Sequence, residues 1–263
     1  MIPKIIHYTW FSGEEMPPIV KDCIASWKRV MPDYEFRLWD RASIQNLDSE
    51  FLQEALVVKK WAYAADYVRL YALYHEGGIY LDTDVVVFKS FDDLLYHQTF
   101  IGKEDAINQL QLEHKWAHFL TSHCMGAEPH AEFIKDCLRY FDGRHFVLST
   151  DEKLPLRLRY NYVLLPYIQA VIAREYGYDW SPKNQSIQSC KAGLVIYPSA
   201  YFCGQRYKSG SYCQHLVLGS WKKEITMPLG IASSGKKPSL LKSRMREVFD
   251  HLLMKCSYVL IKV

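Results

Sequence analysis

Apolar and polar positions change period several times along the first hundred residues, and these changes predict strands separated by helices. The short apolar runs KIIHYTWF and YEFRLW predict the first two strands. Between them, behind two prolines, an apolar stripe recurs at helical spacing at Val20, Ile24, Trp27 and Met31. The order strand, helix, strand predicts a mostly parallel sheet with crossover helices on its faces.

The next segment predicts the element that carries the most unusual residues. VVKKWAYAADYVRLYALYHEGG predicts a long helix that ends at Gly77, and Asp40 is expected to cap the helix after the second strand. IYLD and VVVF then predict a third strand that contains Asp82 and Asp84. A carboxylate in such an apolar run is unfavourable without a partner, so the Asp-Thr-Asp sequence predicts a cation or a group of donors nearby.

The second half of the chain has a weaker pattern. AEFIKDCLRYF and LPYIQAVIAREYG predict helices, and GLVIYP and QHLVLGSW predict short strands. Residues 236–263 form a distinct tail, in which apolar residues recur at helical spacing and seven Lys and Arg oppose two acidic residues, a local charge of +5. We therefore expect an α/β domain over residues 1–235 and a basic amphipathic helix over residues 236–263.

Composition narrows the class of protein. The 263 residues suffice for one large α/β domain, and the net charge of +3 is too small to indicate a nucleic-acid partner. The seven cysteines are odd in number and form no C-x-x-C pair, which favours free thiols in a reducing compartment. The first residues lack the pattern of a signal peptide, and no apolar stretch approaches the roughly 20 residues that span a bilayer. These features predict a cytoplasmic protein.

The two aspartates are the main candidates for chemistry. Ligands of doubly wound sheets bind beyond the carboxyl ends of the strands, where Trp10, Asp82 and Asp84 are expected to lie. Two positions apart on one strand, Asp82 and Asp84 would share a face. Their oxygens suit Mg²⁺ or Mn²⁺, whose shell a substrate phosphate can complete. Two aspartates at this spacing are common by chance. Whether they mark a metal site therefore depends on the surrounding sequence.

That surrounding sequence resembles one family. IPKIIHYTWFSG, WAYAADYVRLYALYHEGGIYLDTDV and HLVLGSW together resemble the family 32 glycosyltransferases, which have the GT-A fold and are distantly similar to clostridial glucosylating toxins. The resemblance is densest over residues 2–95 and returns at 123–141 and 194–221. The chain departs from the family at Ala65, where relatives commonly have Ser, and it lacks a central Gly-Pro element, so the resemblance says least about the acceptor.

The resemblance implies a set of residues that bind the sugar donor. Trp10 would stack on the nucleotide base, although a core tryptophan is the alternative. Asp66 and Arg69, one helical turn apart, would hold hydroxyl groups of the donor sugar, although a helix-surface ion pair has the same spacing. Ser220 and Trp221 would close over the diphosphate on a mobile loop and exclude water.

The resemblance also implies a metal site and a reaction. Asp84 would bind the metal directly, Asp82 would reach it through water while contacting the donor, and His215 would complete the shell, although a structural histidine is equally compatible. An imidazole ligand favours Mn²⁺ over Mg²⁺. The implied reaction is metal-dependent transfer of a hexose, with retention, from a nucleotide-diphosphate sugar, expected to be a UDP-sugar. The acceptor would be a glycan or a lipid-linked saccharide in bacterial surface polysaccharide synthesis. No residue is assigned as nucleophile or general base.

The sequence is also compatible with two other functions, a catalytically weak sugar-nucleotide-binding protein and a nucleotide-sugar phosphoesterase. The phosphoesterase would need further carboxylate or histidine ligands for a second metal, and the sequence shows no such cluster. The basic tail is compatible with peripheral contact with an anionic membrane on its inner face, and equally with an ordinary packing helix.

Overall fold

A computed structural model describes residues 1–104, 119–181, 184–203 and 210–218. The strands are β1 Ile5–Thr9, β2 Glu35–Trp39, β3 Gly78–Leu81, β4 Val85–Val87, β5 Thr99–Lys103, β6 Leu120–Ala127, β7 Gln188–Ser189, β8 Leu194–Tyr197 and β9 Cys213–His215. The α-helices are α1 Pro18–Val30, α2 Glu50–Val57, α3 Trp61–Glu76, α4 Glu132–Arg139, α5 Leu156–Arg159 and α6 Leu165–Glu175. Short 3-10 turns occur at Asp92–Leu94, Lys191–Gly193 and Ser199–Tyr201. Among the described helices, none combines the length and the apolar character needed to cross a bilayer.

The described strands build one large sheet and one small one. The large sheet has seven strands in the order β2-β1-β3-β6-β5-β8-β7, and β4 and β9 form a separate antiparallel pair. In the large sheet β6 and β7 run against the other five strands, since β6 is antiparallel to both β3 and β5 and β7 is antiparallel to β8. The expected α/β architecture with a mostly parallel sheet is confirmed.

Apolar clusters cover both faces of the large sheet. Along β3 the side chains alternate between the two faces, as the pleat of a strand requires. Tyr80 joins the cluster that contains α2, α3, α4 and α6, whereas Ile79 and Leu81 join the cluster that contains α1 and β4. The sheet is therefore the middle layer, and β3 lies near its centre.

The first half of the chain follows the predicted order, with two corrections at helix starts. The long helix begins at Trp61, because α2 already ends at Val57 and Lys59 takes a left-handed φ of 58° between them. The cap of α2 is Ser49, whose Oγ accepts a hydrogen bond from Leu52 N at 3.3 Å. The prediction that Asp40 caps this helix is wrong, since Asp40 instead accepts from Ser43 N at 2.9 Å in the turn after β2.

The third predicted strand is in fact two strands in two different sheets. β3 pairs with β1 and β6, whereas β4 pairs with β9. Asp82, Thr83 and Asp84 form the turn between them, closed by a hydrogen bond from Val85 N to Asp82 O at 3.1 Å. The expectation that Asp82 and Asp84 share a face of one strand is therefore wrong; the turn, and not the period of a strand, brings them together.

A buried histidine and two glycines fix where β3 begins. Gly77 ends α3 with a φ of 67°, and Gly78 follows with a φ of 103°, where an added Cβ would lie 2.7 Å from Ile5 O. His7 Nδ1 accepts from the indole N–H of Trp39 at 3.0 Å, so Nε2 carries the proton and donates to Gly77 O at 2.7 Å. Burial lowers the pKa of His7, which keeps the ring neutral in this role. The turn into β3 is therefore fixed by the hydrogen bond from His7 to Gly77 O and by the close approach of Gly78 to Ile5 O.

In the second half, the predicted helices appear as α4 and α6 and the predicted strand GLVIYP as β8. The predicted strand QHLVLGSW is shorter than expected, because β9 ends at His215 and Val217 adopts a left-handed φ of 52°. β5 and β6 were not predicted. All eight residues of β6, LTSHCMGA, are buried. Because several of them are polar, the segment does not form the continuous apolar run that predicts a buried strand.

Candidate functional site

The carboxyl ends of β1 and β3 lie at the same edge of the sheet, because the two strands are parallel neighbours. Trp10 follows β1 and Asp82 follows β3 at this edge. β6 runs in the opposite direction and therefore enters the sheet here, where His123 O accepts from Asp82 N at 2.9 Å. This edge thus gathers side chains from separate parts of the chain.

Asp82, Asp84 and His215 form one cluster at this edge. Each offers a possible metal-ligand atom, and these atoms lie within 4.8 Å of one another. His215 Nε2 is 3.1 Å from Asp84 Oδ1, and the second carboxylate oxygen of Asp84 accepts from Leu218 N at 3.0 Å. Two carboxylates and an imidazole are the donors that suit a divalent ion such as Mn²⁺. The residues present therefore fit the expected metal.

The small sheet explains how His215 reaches the aspartates. β9 pairs antiparallel with β4, and His215 lies directly opposite Val85. The pairing continues for one more bond, from Leu216 N to Asp84 O at 2.9 Å. Burial would raise the pKa of Asp84, but the hydrogen bonds from His215 and from Leu218 N hold it below its usual value. Asp84 is therefore an anion at neutral pH.

Arg69 joins the cluster to α3. Its Nη2 lies 3.0 Å from Asp66 Oδ1 and its Nη1 lies 3.3 Å from Asp82 Oδ1. The guanidinium also lies 4.5 Å from the centre of the Tyr80 ring and donates to Ser122 O. Only 5% of the Arg69 side chain is exposed, so the alternative of a helix-surface ion pair is wrong. The predicted pair of Asp66 and Arg69 is instead part of a buried network.

Burial sets the charges of this network. It raises the pKa of Asp66 to about 7, against the opposing effect of Arg69. Burial also disfavours the charge on Arg69, but Asp82 and, more weakly, Asp66 raise its pKa above the usual value. Arg69 is therefore a permanent cation, whereas the carboxyl group of Asp66 titrates near neutral pH.

Trp10 lies at the same edge, but its hydrogen bonds within the described part of the chain go neither to the Asp-Asp-His cluster nor to Arg69. Its backbone N donates to Trp39 O at 3.0 Å, and its indole N–H donates to Glu14 O at 2.7 Å. The ring packs partly against the α1-side core and is half-buried. These contacts fix the ring at the rim of the site, and base stacking remains a prediction for it. Ser220, Trp221 and the tail 236–263 lie outside the described residues.

The structure adds a second cluster that the sequence did not indicate. Glu104 follows β5, His123 lies in β6 and Cys203 follows the turn Ser199–Tyr201, and their ligand-type atoms lie within 4.8 Å of one another. The ring of His123 stacks on that of His215, with centroids 4.4 Å apart and planes 30° apart. The expectation that no further ligand cluster exists is therefore wrong. No local spacing connects these three residues, so no motif could have revealed them.

Fold and site together define an α/β protein with an Asp-Asp-His cluster at the carboxyl edge of its sheet. Residues 17–101 match the family model described as glycosyltransferase sugar-binding region containing DXD motif. This segment includes Asp66, Arg69, Asp82 and Asp84, and the match confirms the resemblance to DXD-containing glycosyltransferases. Residues 17–101 thus carry the sequence signature of this glycosyltransferase family.

Two sequence relatives agree with this match. Inositol phosphoceramide mannosyltransferase 2 of Schizosaccharomyces pombe is 30% identical over 139 residues, which are 51% of this chain and 37% of the relative. An uncharacterised glycosyltransferase of Acanthamoeba polyphaga mimivirus is 28% identical over 59% of this chain and 63% of the relative. Among solved structures, PaToxG glycosyltransferase superposes with a TM-score of 0.45 at 20% identity, over 66% of this chain and 69% of that one. The chain spans less than two thirds of these two sequence relatives.

Proposed function

We propose that this protein transfers a hexose from a nucleotide-diphosphate sugar, with Asp84, His215 and Asp82 holding a divalent cation. The observation that carries the proposal is the convergence of these three side chains at the sheet edge, next to the ion pair of Arg69 and Asp82. A cation bound there supplies positive charge for the departing diphosphate. The imidazole of His215 favours Mn²⁺ over Mg²⁺ as that cation.

The residues around the cluster orient the donor. Arg69 is buried and fixed by Asp66, Asp82 and Ser122 O, so it presents its charge without reorganisation. Asp66 and Arg69 hold hydroxyl groups of the donor sugar, and Trp10 stacks on the nucleotide base, with UDP-sugars the expected donors. Ser220 and Trp221 close over the diphosphate and exclude water.

The reaction proceeds with retention, and this chain offers no residue that we assign as nucleophile or general base. The acceptor hydroxyl attacks from the face of the leaving phosphate, which takes up its proton. The acceptor is a glycan or a lipid-linked saccharide. In a bacterial cell that acceptor would belong to surface polysaccharide synthesis at the inner face of the membrane, with the tail 236–263 in contact with anionic lipid.

The names of the relatives suggest one further pair of donor and acceptor. The Schizosaccharomyces pombe relative is named as a mannosyltransferase that acts on inositol phosphoceramide. A mannosyl donor and an inositol-phosphate lipid therefore belong among the candidates for this chain, beside UDP-sugars and saccharides.

The test is a panel of UDP- and GDP-sugars, GDP-mannose included, incubated with the protein and Mn²⁺. Release of nucleoside diphosphate together with free sugar supports the transferase, because transfer to water is its side reaction. Sugar phosphate would instead identify a phosphoesterase, and binding without any product would identify a sugar-nucleotide-binding protein. Turnover that persists in excess chelator, or in Asp84→Asn, would overturn the proposed role of the cation.

A further inference from the structure

We propose that Glu104, His123 and Cys203 form a second cation site, separate from the Asp-Asp-His cluster and selective for Zn²⁺ or a similar borderline metal. The three residues come from the end of β5, from β6 and from the segment after Ser199–Tyr201. One ligand-type atom of each lies within 4.8 Å of the others. Carboxylate, imidazole and thiolate are a donor set that zinc accepts readily and that Mg²⁺ and Mn²⁺ do not favour.

The hydrogen bonds of His123 determine which nitrogen faces the site. Nε2 lies 3.0 Å from Phe202 O, and a carbonyl can only accept, so Nε2 carries a proton. Nδ1 is then the nitrogen with the lone pair. A metal-bound histidine typically donates its other ring N–H to a backbone carbonyl in this way, which fixes the ring and the tautomer.

Nδ1 of His123 is buried and has no hydrogen-bond partner among the described residues, although Glu104 Oε1 lies 3.5 Å away. The histidine side chain is only 2% exposed. A lone pair that faces a carboxylate in a buried place is unfavourable, so a positive species, either a proton or a metal ion, belongs between them.

The distances between the ligand atoms of Glu104, His123 and Cys203 fit a zinc ion. A tetrahedral zinc ion holds nitrogen, oxygen and sulfur ligands roughly 3.3 to 3.7 Å apart. His123 Nδ1 lies 3.5 Å from Glu104 Oε1, and Cys203 Sγ lies 3.5 Å from Glu104 Oε2. On binding, the thiol proton of Cys203 and any proton between His123 and Glu104 leave to solvent.

An ion at this position would hold His123 against His215. Because the two rings stack at 4.4 Å, fixing His123 also restricts the ring that contacts Asp84. The two sites are thus neighbours with different chemistry, one with a thiolate and one without. That difference makes them separable by experiment.

The experiment titrates the metal-free full chain with Co²⁺, without nucleotide, and follows the ultraviolet charge-transfer absorption of a cobalt–thiolate bond. The Asp-Asp-His cluster has no thiol, so this band reports only on a cysteine site. We expect the band in the wild type and in Asp84→Asn, its loss in Cys203→Ser, and its displacement by Zn²⁺. Cys213→Ser is the matched control, because Cys213 is a neighbouring buried thiol that also contacts Phe202 O, at 3.5 Å. It should keep the band.

A second measurement uses the wild type alone, in case Cys203→Ser does not fold. Zn²⁺ should slow the alkylation of Cys203 by iodoacetamide, because the thiolate that binds a metal ion is no longer free to act as a nucleophile. Cys190 is partly exposed and serves as the internal control, with unchanged alkylation. The proposal is overturned if the wild type shows no cobalt–thiolate band, if the band survives Cys203→Ser or depends on Cys213, or if Zn²⁺ leaves the alkylation of Cys203 unchanged.

Discussion

Arg69 on α3 lies 3.3 Å from Asp82, the first residue of the turn after β3. This ion pair links the helix that carries Asp66 to the turn that carries the two aspartates of the Asp-Asp-His cluster. Since Arg69 is fixed on its other side by Asp66 and by Ser122 O, helix, turn and β6 hold one another in place. The charges of the site are therefore set by packing before any ligand arrives.

We expect Arg69→Gln to destabilise the protein by about 3 kcal/mol, because it leaves two carboxyl groups in a largely buried place without their cation. The measurement is urea unfolding at pH 8, above the pKa of about 7 that Asp66 has beside Arg69. Arg139→Gln is the matched control, since Arg139 and Asp136 have the same spacing but form an exposed pair at 3.9 Å. Its effect should stay under about 1 kcal/mol. Equal losses of unfolding free energy in the two variants would show that the buried ion pair contributes no more to stability than the exposed one.

Asp84→Asn should weaken the binding of Mn²⁺ to the free protein at least roughly tenfold, because it removes the charged oxygen that faces His215. Binding can be followed by the electron paramagnetic resonance signal of free Mn²⁺. Asp93→Asn is the control, as Asp93 is an exposed carboxylate paired with Lys89. Unchanged Mn²⁺ affinity in Asp84→Asn would remove Asp84 from the metal site.

Gly77→Ala should destabilise the protein by about 3 kcal/mol, because two effects add. Gly77 has a left-handed φ of 67°, and an added Cβ would lie 2.6 Å from Pro129 Cδ and 2.9 Å from Pro3 Cδ. Gly143 has a similar φ of 63° with nothing within 4 Å, so Gly143→Ala isolates the backbone strain and should cost about 1 kcal/mol. Thermal and urea unfolding of both variants measure the difference. If both lose the same stability, crowding at Gly77 is unimportant.

Glu54 should make the stability depend on pH in the acid range. Its carboxylate accepts from Phe146 N at 2.7 Å and Val147 N at 2.9 Å, and these bonds together with His145 lower its pKa below 4.5 although burial opposes them. A pKa that is lower in the folded state adds stability above the unfolded value, and this stability is lost as the pH falls through the folded value.

Glu54→Gln should therefore reduce the free energy of unfolding by about 1 to 2 kcal/mol at pH 7. The difference from the wild type should shrink as the pH falls below 4.5, when the wild-type carboxylate is also protonated. Glu50→Gln is the control, because Glu50 is an exposed neighbour on the same helix that contacts His145 only at 3.2 Å. A wild-type advantage that stays constant down to pH 3 would contradict this role of Glu54.

Much of the first hundred residues could be predicted because its signals are local. An apolar stripe, a pair of prolines and a terminating glycine each act within one or two helical turns, so α1, α3 and the order of β1, β2 and β3 follow from the sequence. The same locality placed Asp66 and Arg69 on one side of a helix. It failed at Asp82 and Asp84, where an apolar run that resembled one strand is divided by a turn between two sheets.

The sequence by itself determined the α/β class, the glycosyltransferase resemblance and the placement of Asp66 and Arg69 on one side of a helix. Only the tertiary structure decided that His215 meets Asp84, which requires β9 to pair with β4 in a particular register across 131 positions. It also decided that Glu104, His123 and Cys203 meet at all. Periodicity describes neighbours within a few residues, whereas strand register and packing bring distant residues together, and no local pattern encodes that distance.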